Sequence, residues 1–355
     1  MIYYLILPFL FLFMSVFDKS KAEKPILVFL ILFLLFFVGL REGGTGTGDY
    51  YEYIRLYEKI KTFDDIFNAN IHAEIGFRYL SYIGNKFDFD GQFIIFVMAA
   101  LSVIPVAFVI YKYSCYKILS LLIWYPFVLT MNMQASRSSV AAAFGLVFII
   151  SFFNKNHLKS VIFLALSLSF HTSAISLLAI YMTRISLQKL LFAIFIILFS
   201  CLFLNPLTLL ADLFNMMGLG IVSNKILNYM SSTDYGYPMR MYDPRILLNI
   251  FICFLIWHVK DKINDPLYIN LCKVFCVGMF FMILFASITV ISLRVSFLYL
   301  ITGVIVIPVI CQIYNQRFYL QIKFKRVMSL FLSCAYVAYI SALAYMAEPY
   351  EFYLK

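Results

Sequence analysis

Long apolar runs separated by short polar segments dominate the pattern of this chain. A helix that crosses a membrane needs about 20 predominantly apolar residues, and one that lines a cavity can be shorter. On this template the pattern predicts eleven spans, the sixth of them unusually long. They cover residues 2–17, 25–40, 92–110, 118–133, 138–153, 158–185, 187–204, 246–259, 271–291, 295–312 and 327–346.

Two long polar segments, 41–90 and 205–245, interrupt the order of spans. Within the second, residues 207–217 are amphipathic, which predicts a helix lying in the membrane interface. Residues 231–238 are polar and rich in turn-forming residues. We interpret them as a mobile lid or a loop that contacts sugar.

Composition agrees with this pattern, since 63% of the residues are apolar, 13% are charged and the mean hydropathy is +0.91. These values lie far outside the range of soluble domains. We predict an all-α polytopic integral membrane protein with about 11–12 transmembrane helices, residues 1–355 forming a single transmembrane domain. The opening run, Ile2–Phe17, lacks a basic n-region and a cleavage site, which favours a retained span over a signal peptide.

The distribution of basic residues predicts an orientation, because short cytoplasmic loops carry an excess of Lys and Arg. If 158–185 crosses once, Lys260, Lys262 and the basic cluster at 317–326 fall outside, against this rule. If it is two half-length helices that meet near His171, every basic loop falls inside. We therefore predict a broken or hairpin segment at His171, two outer-face loops and both termini outside. Non-helical backbone at membrane depth occurs only where protein or water surrounds it.

The stretch Val38–Tyr53 is the first place where an apolar run ends in a charge, glycines, an acid and tyrosines. Lipid tolerates none of these groups, so the stretch must lie at a surface or line a polar cavity. Asp49 suits a general base, but it could equally cap a helix that begins near Tyr50 or hold an arginine in a salt bridge. The tyrosines suit either an interfacial belt or stacking on sugar rings.

Two arginines and a histidine elsewhere fall on the same predicted face. Arg137 opens a span, where it could bind an anion or extend towards lipid headgroups. Arg294 interrupts an apolar run with no acid nearby, which favours recognition of phosphate over a structural pair. His171 is either a functional group or a packed histidine, since Ser169, Thr172 and Ser173 surround it in sequence.

Other chemistries lack their signatures. The four histidines show no metal-ligand spacing with one another or with cysteine, so we expect no metal. The seven cysteines lie within spans or on the predicted inner side and do not imply disulfides. No glycine loop ends in Lys followed by Ser or Thr, which argues against nucleotide hydrolysis.

The order of these features resembles the EpsG-like branch of the Wzy polysaccharide polymerases. The resemblance covers roughly residues 25–300. Its blocks are Gly39-Leu40-Arg41, Gly46-Thr47-Gly48-Asp49-Tyr50 with Tyr53, Arg137 at the start of a span, Phe170-His171-Thr172-Ser173-Ala174, and Arg294. This chain has Arg137-Ser138 where the family commonly has Arg-Gln, so any role of that glutamine is missing or moved.

This resemblance implies a GT-C-like glycosyltransferase in the bacterial inner (plasma) membrane, with its active site facing the periplasm or outside. It would join oligosaccharide repeat units carried on undecaprenyl pyrophosphate, without a metal or other cofactor. Implied partners are this lipid-linked oligosaccharide, the bilayer, and possible chain-length regulator and flippase proteins of the same pathway, with no nucleic acid.

The implied reaction gives the candidate residues their roles. Arg137 and Arg294 would stabilise the departing pyrophosphate, because preorganised donors in a poorly solvated site act most strongly on developing charge. His171 would add a donor or act as an acid or base, and Asp49 would accept a proton. The candidates for binding pyrophosphate or sugar are Arg41, Tyr50, Tyr53, Arg240 and Arg245.

Rival functions remain open from the sequence. An O-antigen ligase would use the same donor with a different acceptor, and a lipid-linked oligosaccharide flippase would also be basic and polytopic. A flippase favours charge along a continuous pore, whereas the charge here gathers at one face. Membrane acyltransferases usually place an acid beside the histidine, which Phe170-His171-Thr172 lacks.

Overall fold

The structure is a computed structural model, which describes residues 2–45, 49–201, 203–231, 237–322 and 326–353. Most of the described residues lie in helices. It divides into two compact units, the first formed by Met1–Ile175 with Gly303–Lys355 and the second by Ser176–Thr302. The single transmembrane domain over 1–355 stays a prediction.

The helices of the described residues are labelled in chain order. They are α1 (Ile2–Met14), α2 (Glu23–Gly39), α3 (Tyr50–Glu58), α4 (Ile75–Lys86), α5 (Gln92–Tyr113), α6 (Lys117–Phe127), α7 (Ser136–Phe153), α8 (His157–Phe170), α9 (Leu187–Ser200), α10 (Pro206–Met216), α11 (Gly220–Ser231), α12 (Pro244–Val259), α13 (Pro266–Leu284), α14 (Thr289–Leu300), α15 (Gly303–Ile322) and α16 (Val327–Tyr345). Shorter 3₁₀ segments lie at Ser15–Phe17, Asp64–Phe67, Thr172–Arg184 and Lys260–Lys262, a π-helical turn at Val128–Asn132, and two strands at Arg41–Glu42 (β1) and Glu351–Phe352 (β2).

Helix α2 illustrates why the apolar runs fold as they do. Leu27, Leu30 and Leu34 recur every three or four residues and are fully buried against the first unit. On other faces of the helix, Phe29 and Phe33 are 61% and 42% exposed. A helix that is apolar on its packed and its open faces is stable only where the surroundings are also apolar, as in lipid.

Four of the described helices are long and apolar enough to cross a membrane, namely α5, α7, α13 and α16, and α14 with α15 makes a fifth if the two count as one span. Shorter apolar helices lie at Ile2–Phe17, Lys117–Asn132, His157–Phe170 and Leu187–Ser200. The predicted all-α multi-pass membrane class is confirmed. The number of 11–12 spans and the GT-C-like arrangement stay predictions.

The predicted spans 271–291 and 295–312 are wrong in their boundaries, because the chain leaves the helix at 285–288 and again at 301–302. At the first break the carbonyl of Ala286 accepts the N–H of Met239, and the N–H of Thr289 donates to Tyr237. These bonds draw the backbone out of the helix. Hydropathy does not reveal the breaks, because neither contains a charged residue.

The first unit has two chemically different ends. At one end, Lys117 at the start of α6 pairs with Glu23 at the start of α2, Nζ to Oε2, at 2.8 Å. The buried Asp18 carboxylate accepts the N–H groups of Ile118 and Leu119. Basic residues of the loops and helix ends here are Lys19, Lys21, Lys24, Lys112, Lys117, Lys155, Lys159 and Arg326. The opposite end, where α2 and α8 finish and α5 and α7 begin, holds the candidate site residues of this unit.

The predicted interruption at His171 is present. Helix α8 ends at Phe170, and His171 has extended backbone angles, φ −159° and ψ 129°, before the 3₁₀ segment begins. A second irregularity, the π-helical turn at 128–132, precedes α7. Such turns concentrate at functional sites. Whether 158–185 reverses direction across a membrane stays a prediction.

The two long polar segments contain more regular structure than expected. The predicted amphipathic helix at 207–217 is present as α10, whereas the pattern did not predict α11. Of the predicted lid 231–238, residues 232–236 lie outside the described residues. The first segment, 41–90, contains β1, α3 and α4 as well as loops.

Candidate functional site

The loop after α2 is fixed to the segment that leads into α7. The Thr45 hydroxyl donates to the carbonyl of Leu129 at 2.7 Å and accepts the side-chain N–H of Gln134 at 2.9 Å. The backbone N–H of Asp49 donates to the Gln134 carbonyl at 3.1 Å. The predicted block 46–48 lies outside the described residues. Both flanks of that block are therefore held beside the start of α7.

The C-terminal segment braces the same loop from its other side. Strand β2 pairs antiparallel with β1, placing Arg41 opposite Phe352. The Tyr350 hydroxyl donates to the carbonyl of Phe37 at 2.7 Å, and the two rings stack with centroids 4.5 Å apart. Residues more than 300 positions apart in sequence thus fix the end of α2.

Arg41 is 1% exposed and faces the protein interior. Its guanidinium donates to the Val38 carbonyl at 2.7 Å and, at 3.4 Å each, to the Met133 carbonyl and the Ser136 hydroxyl. Burial lowers the pKa of Arg41 to about 10, so the group still carries its charge at neutral pH. Arg41 thereby joins α2 to the start of α7. Its contact with substrate stays a prediction.

Tyr50 and Tyr53 are buried on the inner face of α3, at 2% and 1% exposure. The Tyr50 hydroxyl donates to Gln92 Oε1 at 2.7 Å, and Gln92 donates in turn to the carbonyls of Gly39 and Arg41. These bonds give Tyr50 a place in the scaffold of the loop. Stacking of Tyr50 or Tyr53 on sugar stays a prediction.

Tyr53 connects Asp49 to α7. Its hydroxyl donates to Asp49 Oδ2 at 3.2 Å and accepts the backbone N–H of Arg137 at 3.4 Å. Burial, with the charge of Asp49 next in size, raises the pKa of Tyr53 to about 12, so the hydroxyl keeps its proton. Asp49 occupies the N-cap position of α3 without a side-chain capping bond. Its carboxylate is therefore directed at Tyr53.

Arg137 forms the central contact of the site. Its Nη1 lies 2.6 Å from Glu74 Oε2 and 3.2 Å from the carbonyl oxygen of His72. The guanidinium stands over the rings of Tyr53 and Phe77, with its central carbon 5.5 and 5.9 Å from their centroids. Nε of Arg137 is buried and has no acceptor among the described residues. The guanidinium is therefore held by protein groups on several sides.

Glu74 joins Arg137 to the break at His171. While Oε2 pairs with Arg137, Oε1 accepts the backbone N–H of Thr172 at 3.4 Å. Both partners of the ion pair are mostly buried, with side chains 19% and 17% exposed. Glu74 thus links the start of α7, the start of α4 and the end of α8. The expected alternative, a salt bridge from Asp49 to an arginine, is absent among the described residues.

The surroundings of His171 define its neutral tautomer. The backbone N–H of Ser173 donates to Nδ1 at 3.1 Å, and the Ser173 hydroxyl lies 2.7 Å from the same nitrogen. A nitrogen that accepts an N–H bond carries no proton, so the neutral ring has its proton on Nε2. In this tautomer Nε2 is the donor nitrogen of the ring.

The remaining candidates lie in the second unit. The Arg245 side chain donates to both oxygens of Asp243, at 2.8 and 2.7 Å, and Asp243 also caps α12. Arg240 is exposed and donates to the Tyr242 hydroxyl. Arg294, in the middle of α14, has no hydrogen bond or ion pair within the described part of the chain.

Glu74 is the residue that sequence reasoning missed. In the sequence Glu74 is an acidic residue between Ala73 and the start of a helix that contains glycine. Acidic residues are common in such loops, so its position alone does not indicate a functional role. No cluster of three or more His, Cys, Asp or Glu residues that could hold a metal occurs within the described ranges. The sequence does not show that Glu74 pairs with Arg137, because 63 positions separate the two residues.

Residues 24–352 match the model of the EpsG family, which is nearly the whole chain and includes every candidate residue named above. No curated protein and no solved structure matches the chain significantly.

Proposed function

Because the chain belongs to the EpsG family, which is associated with Wzy-type polymerases, we propose that it joins oligosaccharide repeat units carried on undecaprenyl pyrophosphate. The reaction is a glycosyl transfer at the outer face of the inner membrane. The observation that carries this proposal is the cluster of Asp49, Tyr53, Arg137, Glu74 and His171, which four separate segments bring to one end of the first unit.

The reaction requires a site that handles a leaving anion and a proton. The bond between the anomeric carbon of the growing chain and pyrophosphate breaks, and its electron pair leaves with the phosphate oxygen. A hydroxyl of the incoming repeat unit forms the new bond to that carbon and loses its proton. A guanidinium and an imidazole N–H suit the first task, and a carboxylate suits the second.

Arg137 fits the role of pyrophosphate donor. Glu74 and the two aromatic rings fix the plane of its guanidinium, and its buried Nε remains without a protein acceptor in the described residues. A fixed fork of donors recognises phosphate with little loss of conformational freedom. His171 adds a second donor through Nε2. Arg294 stays a candidate for binding the pyrophosphate on the evidence of its sequence position alone.

Asp49 is the proposed general base. Its carboxylate is partly exposed and accepts a bond from Tyr53, which leaves lone pairs on both oxygens for an acceptor hydroxyl. Arg41 is a positioning residue in this proposal. Its buried guanidinium fixes the segment that precedes Arg137, and substrate contact is not required for that role.

The two ends of the first unit support the outer-face orientation. The end marked by the Lys117–Glu23 pair has more basic than acidic residues and suits the cytoplasm, whereas segment 41–90 at the site end contains lysines and arginines but a larger number of acidic residues. A cysteine in place of the exposed Asn70 should then react with an impermeant thiol reagent in intact cells. One in place of His157 should be protected, with native cysteines replaced in both cases. The reverse labelling would contradict the orientation.

The function is tested by complementation. A strain that lacks the gene should carry single repeat units in place of long surface polysaccharide, and wild-type protein should restore the long chains. Arg137→Ala, expressed at the normal level, should fail to restore them. Arg55→Ala is the matched control, because Arg55 is 67% exposed and pairs only locally with Glu52. Long polymer in the deletion strain would refute the proposal, and loss of single units as well would indicate a ligase or flippase.

A further inference from the structure

An open apolar groove of about 500 Å³ lies in the first unit. Its walls come from the 3₁₀ turn at Asp64–Phe67, α4 and α8, and its floor includes Leu101 of α5 and Phe144 of α7. Its lining contains no charged residue. Phe67, Tyr79 and Leu166 are 64%, 51% and 37% exposed along it. A concave apolar surface of this volume can hold an apolar group.

The closed side of the groove is formed by a close approach of two helices. At Gly76, an added Cβ would lie 2.8 Å from the carbonyl oxygen and 2.9 Å from the hydroxyl oxygen of Ser169. Only glycine permits this separation of α4 and α8. The groove is therefore a defined feature of the packing of these two helices.

Both helical walls of the groove run into the candidate site. Ile75 and Gly76 line it and directly follow Glu74, the partner of Arg137. Phe170 lines it as the last residue of α8, immediately before His171. One end of the groove thus adjoins the ion pair of Arg137 with Glu74. A molecule that fits both the groove and Arg137 has an apolar chain joined to an anionic head.

We propose that this groove holds the first isoprenoid units of the polyprenyl chain of the lipid-linked donor, while its pyrophosphate contacts Arg137. This inference rests on the proposed function. Pyrophosphate is the group that the proposed function assigns to Arg137, so a chain attached to it would begin beside this groove. The volume accommodates only the part of the chain nearest the head, and the remainder lies in the bilayer.

The matched variants are Leu166→Trp and Ile162→Trp in the full-length protein in phospholipid nanodiscs. Leu166 lines the groove, whereas Ile162 lies one turn away on α8, outside it, and is similarly exposed at 46%. A tryptophan at 166 narrows the groove. We expect it to weaken binding of undecaprenyl pyrophosphate about tenfold, the effect of displacing roughly two methylene-sized groups. Ile162→Trp should bind like the wild type.

Binding of inorganic pyrophosphate measures the contribution of the head group without that of the polyprenyl chain. Its binding should be equal in the wild type and Leu166→Trp, because it has no chain to place in the groove.

A second pair of variants, Phe67→Ser and Phe87→Ser, repeats the test on side chains that are 64% and 65% exposed, of which only Phe67 lines the groove. Phe67→Ser should weaken binding of undecaprenyl pyrophosphate and Phe87→Ser should not.

Several outcomes would overturn the inference. If undecaprenyl pyrophosphate binds Leu166→Trp and Phe67→Ser as it binds the wild type, the groove does not hold the polyprenyl chain. The same conclusion follows if the variants lose only co-purified phospholipid, or if both members of each pair lose affinity equally. If the wild-type protein does not bind undecaprenyl pyrophosphate at all, the proposed function itself fails.

Discussion

The ion pair between Arg137 and Glu74 provides the sharpest test of the site, and Glu74→Gln is the perturbation that isolates it. Glutamine keeps the size of the side chain and an oxygen that can accept from Arg137, but it removes the negative charge. If Glu74 orients the guanidinium, the variant should fold while its guanidinium loses the fixed position that the 2.6 Å contact gives it.

The expected magnitude follows from burial. Removing one partner of a fully buried pair costs about 3–5 kcal/mol, and an exposed pair contributes about 0–1 kcal/mol. Here both side chains are more than four-fifths buried, and glutamine retains a hydrogen bond, so we expect a loss of about 1–2 kcal/mol in stability. A misplaced donor should slow polymerisation by about 10–100-fold, less than the loss of roughly 10²–10³-fold for a missing one.

The assay measures chain extension on a purified lipid-linked repeat unit, together with thermal unfolding in detergent. Arg137→Ala should lose about 10²–10³-fold, and the double variant with Glu74→Gln should be no slower, since both changes act through one guanidinium. Glu52→Gln, which breaks the exposed pair with Arg55, should leave the rate unchanged. A wild-type rate in Glu74→Gln, or rate losses that multiply in the double variant, would refute the positioning role.

Three further predictions concern the scaffold around the site. Tyr350→Ala removes the ring that stacks on Phe37 and should lower the free energy of unfolding by about 3–5 kcal/mol. Tyr350→Phe removes only the hydroxyl that donates to Phe37 and should lower it by about 1 kcal/mol. Unfolding curves that are the same for the two variants would contradict this. Gly76→Ala should reduce thermal stability, while Gly220→Ala, with its nearest atom at 3.7 Å, should not; equal melting temperatures would show that α4 and α8 can separate at no cost. Burial raises the pKa of Asp18 from 3.8 to about 7. Between these two pH values the folded state keeps a proton that the unfolded state has released. The free energy of unfolding should therefore fall as pH rises from about 4 to 7. The slope approaches roughly 1.4 kcal/mol per pH unit, and Asp18→Asn should flatten it in pH-dependent melts; an unchanged slope would refute the assignment.

Much of the site could be predicted from local chemistry. Arg41, Arg137 and His171 each end, open or interrupt an apolar run, and such residues are costly in a membrane unless they have a function or a partner; Asp49 follows Arg41 in a polar, glycine-rich stretch. The structure brings all four to one end of the first unit. The partner Glu74 could not be predicted in the same way. It lies in a polar loop where acids are common, and only the packing of α4 against α8 brings it to Arg137.

The limits of the fold prediction have a related cause. Hydropathy locates where a chain can enter lipid but not where its backbone leaves a helix. The break at His171 was predicted from the distribution of basic residues over many loops, and the reversal of direction that this distribution favours stays a prediction. The breaks at 285–288 and 301–302 contain no charged residue, and the first depends on hydrogen bonds to residues 237 and 239, so neither could be predicted from the distribution of charge.

Tyr53 bears on the question that the sequence left open, whether Asp49 takes a proton or fixes an arginine. The structure has a tyrosine between the two charges, with its hydroxyl donating to Asp49 and accepting from the backbone of Arg137. A carboxylate that only had to neutralise a guanidinium would be expected to contact it directly, as Glu74 does. With Glu74 in that role, the charge of Asp49 is not needed to balance Arg137. A negative group held near a cationic site, yet apart from its guanidinium, suits a base that must accept a proton while pyrophosphate leaves.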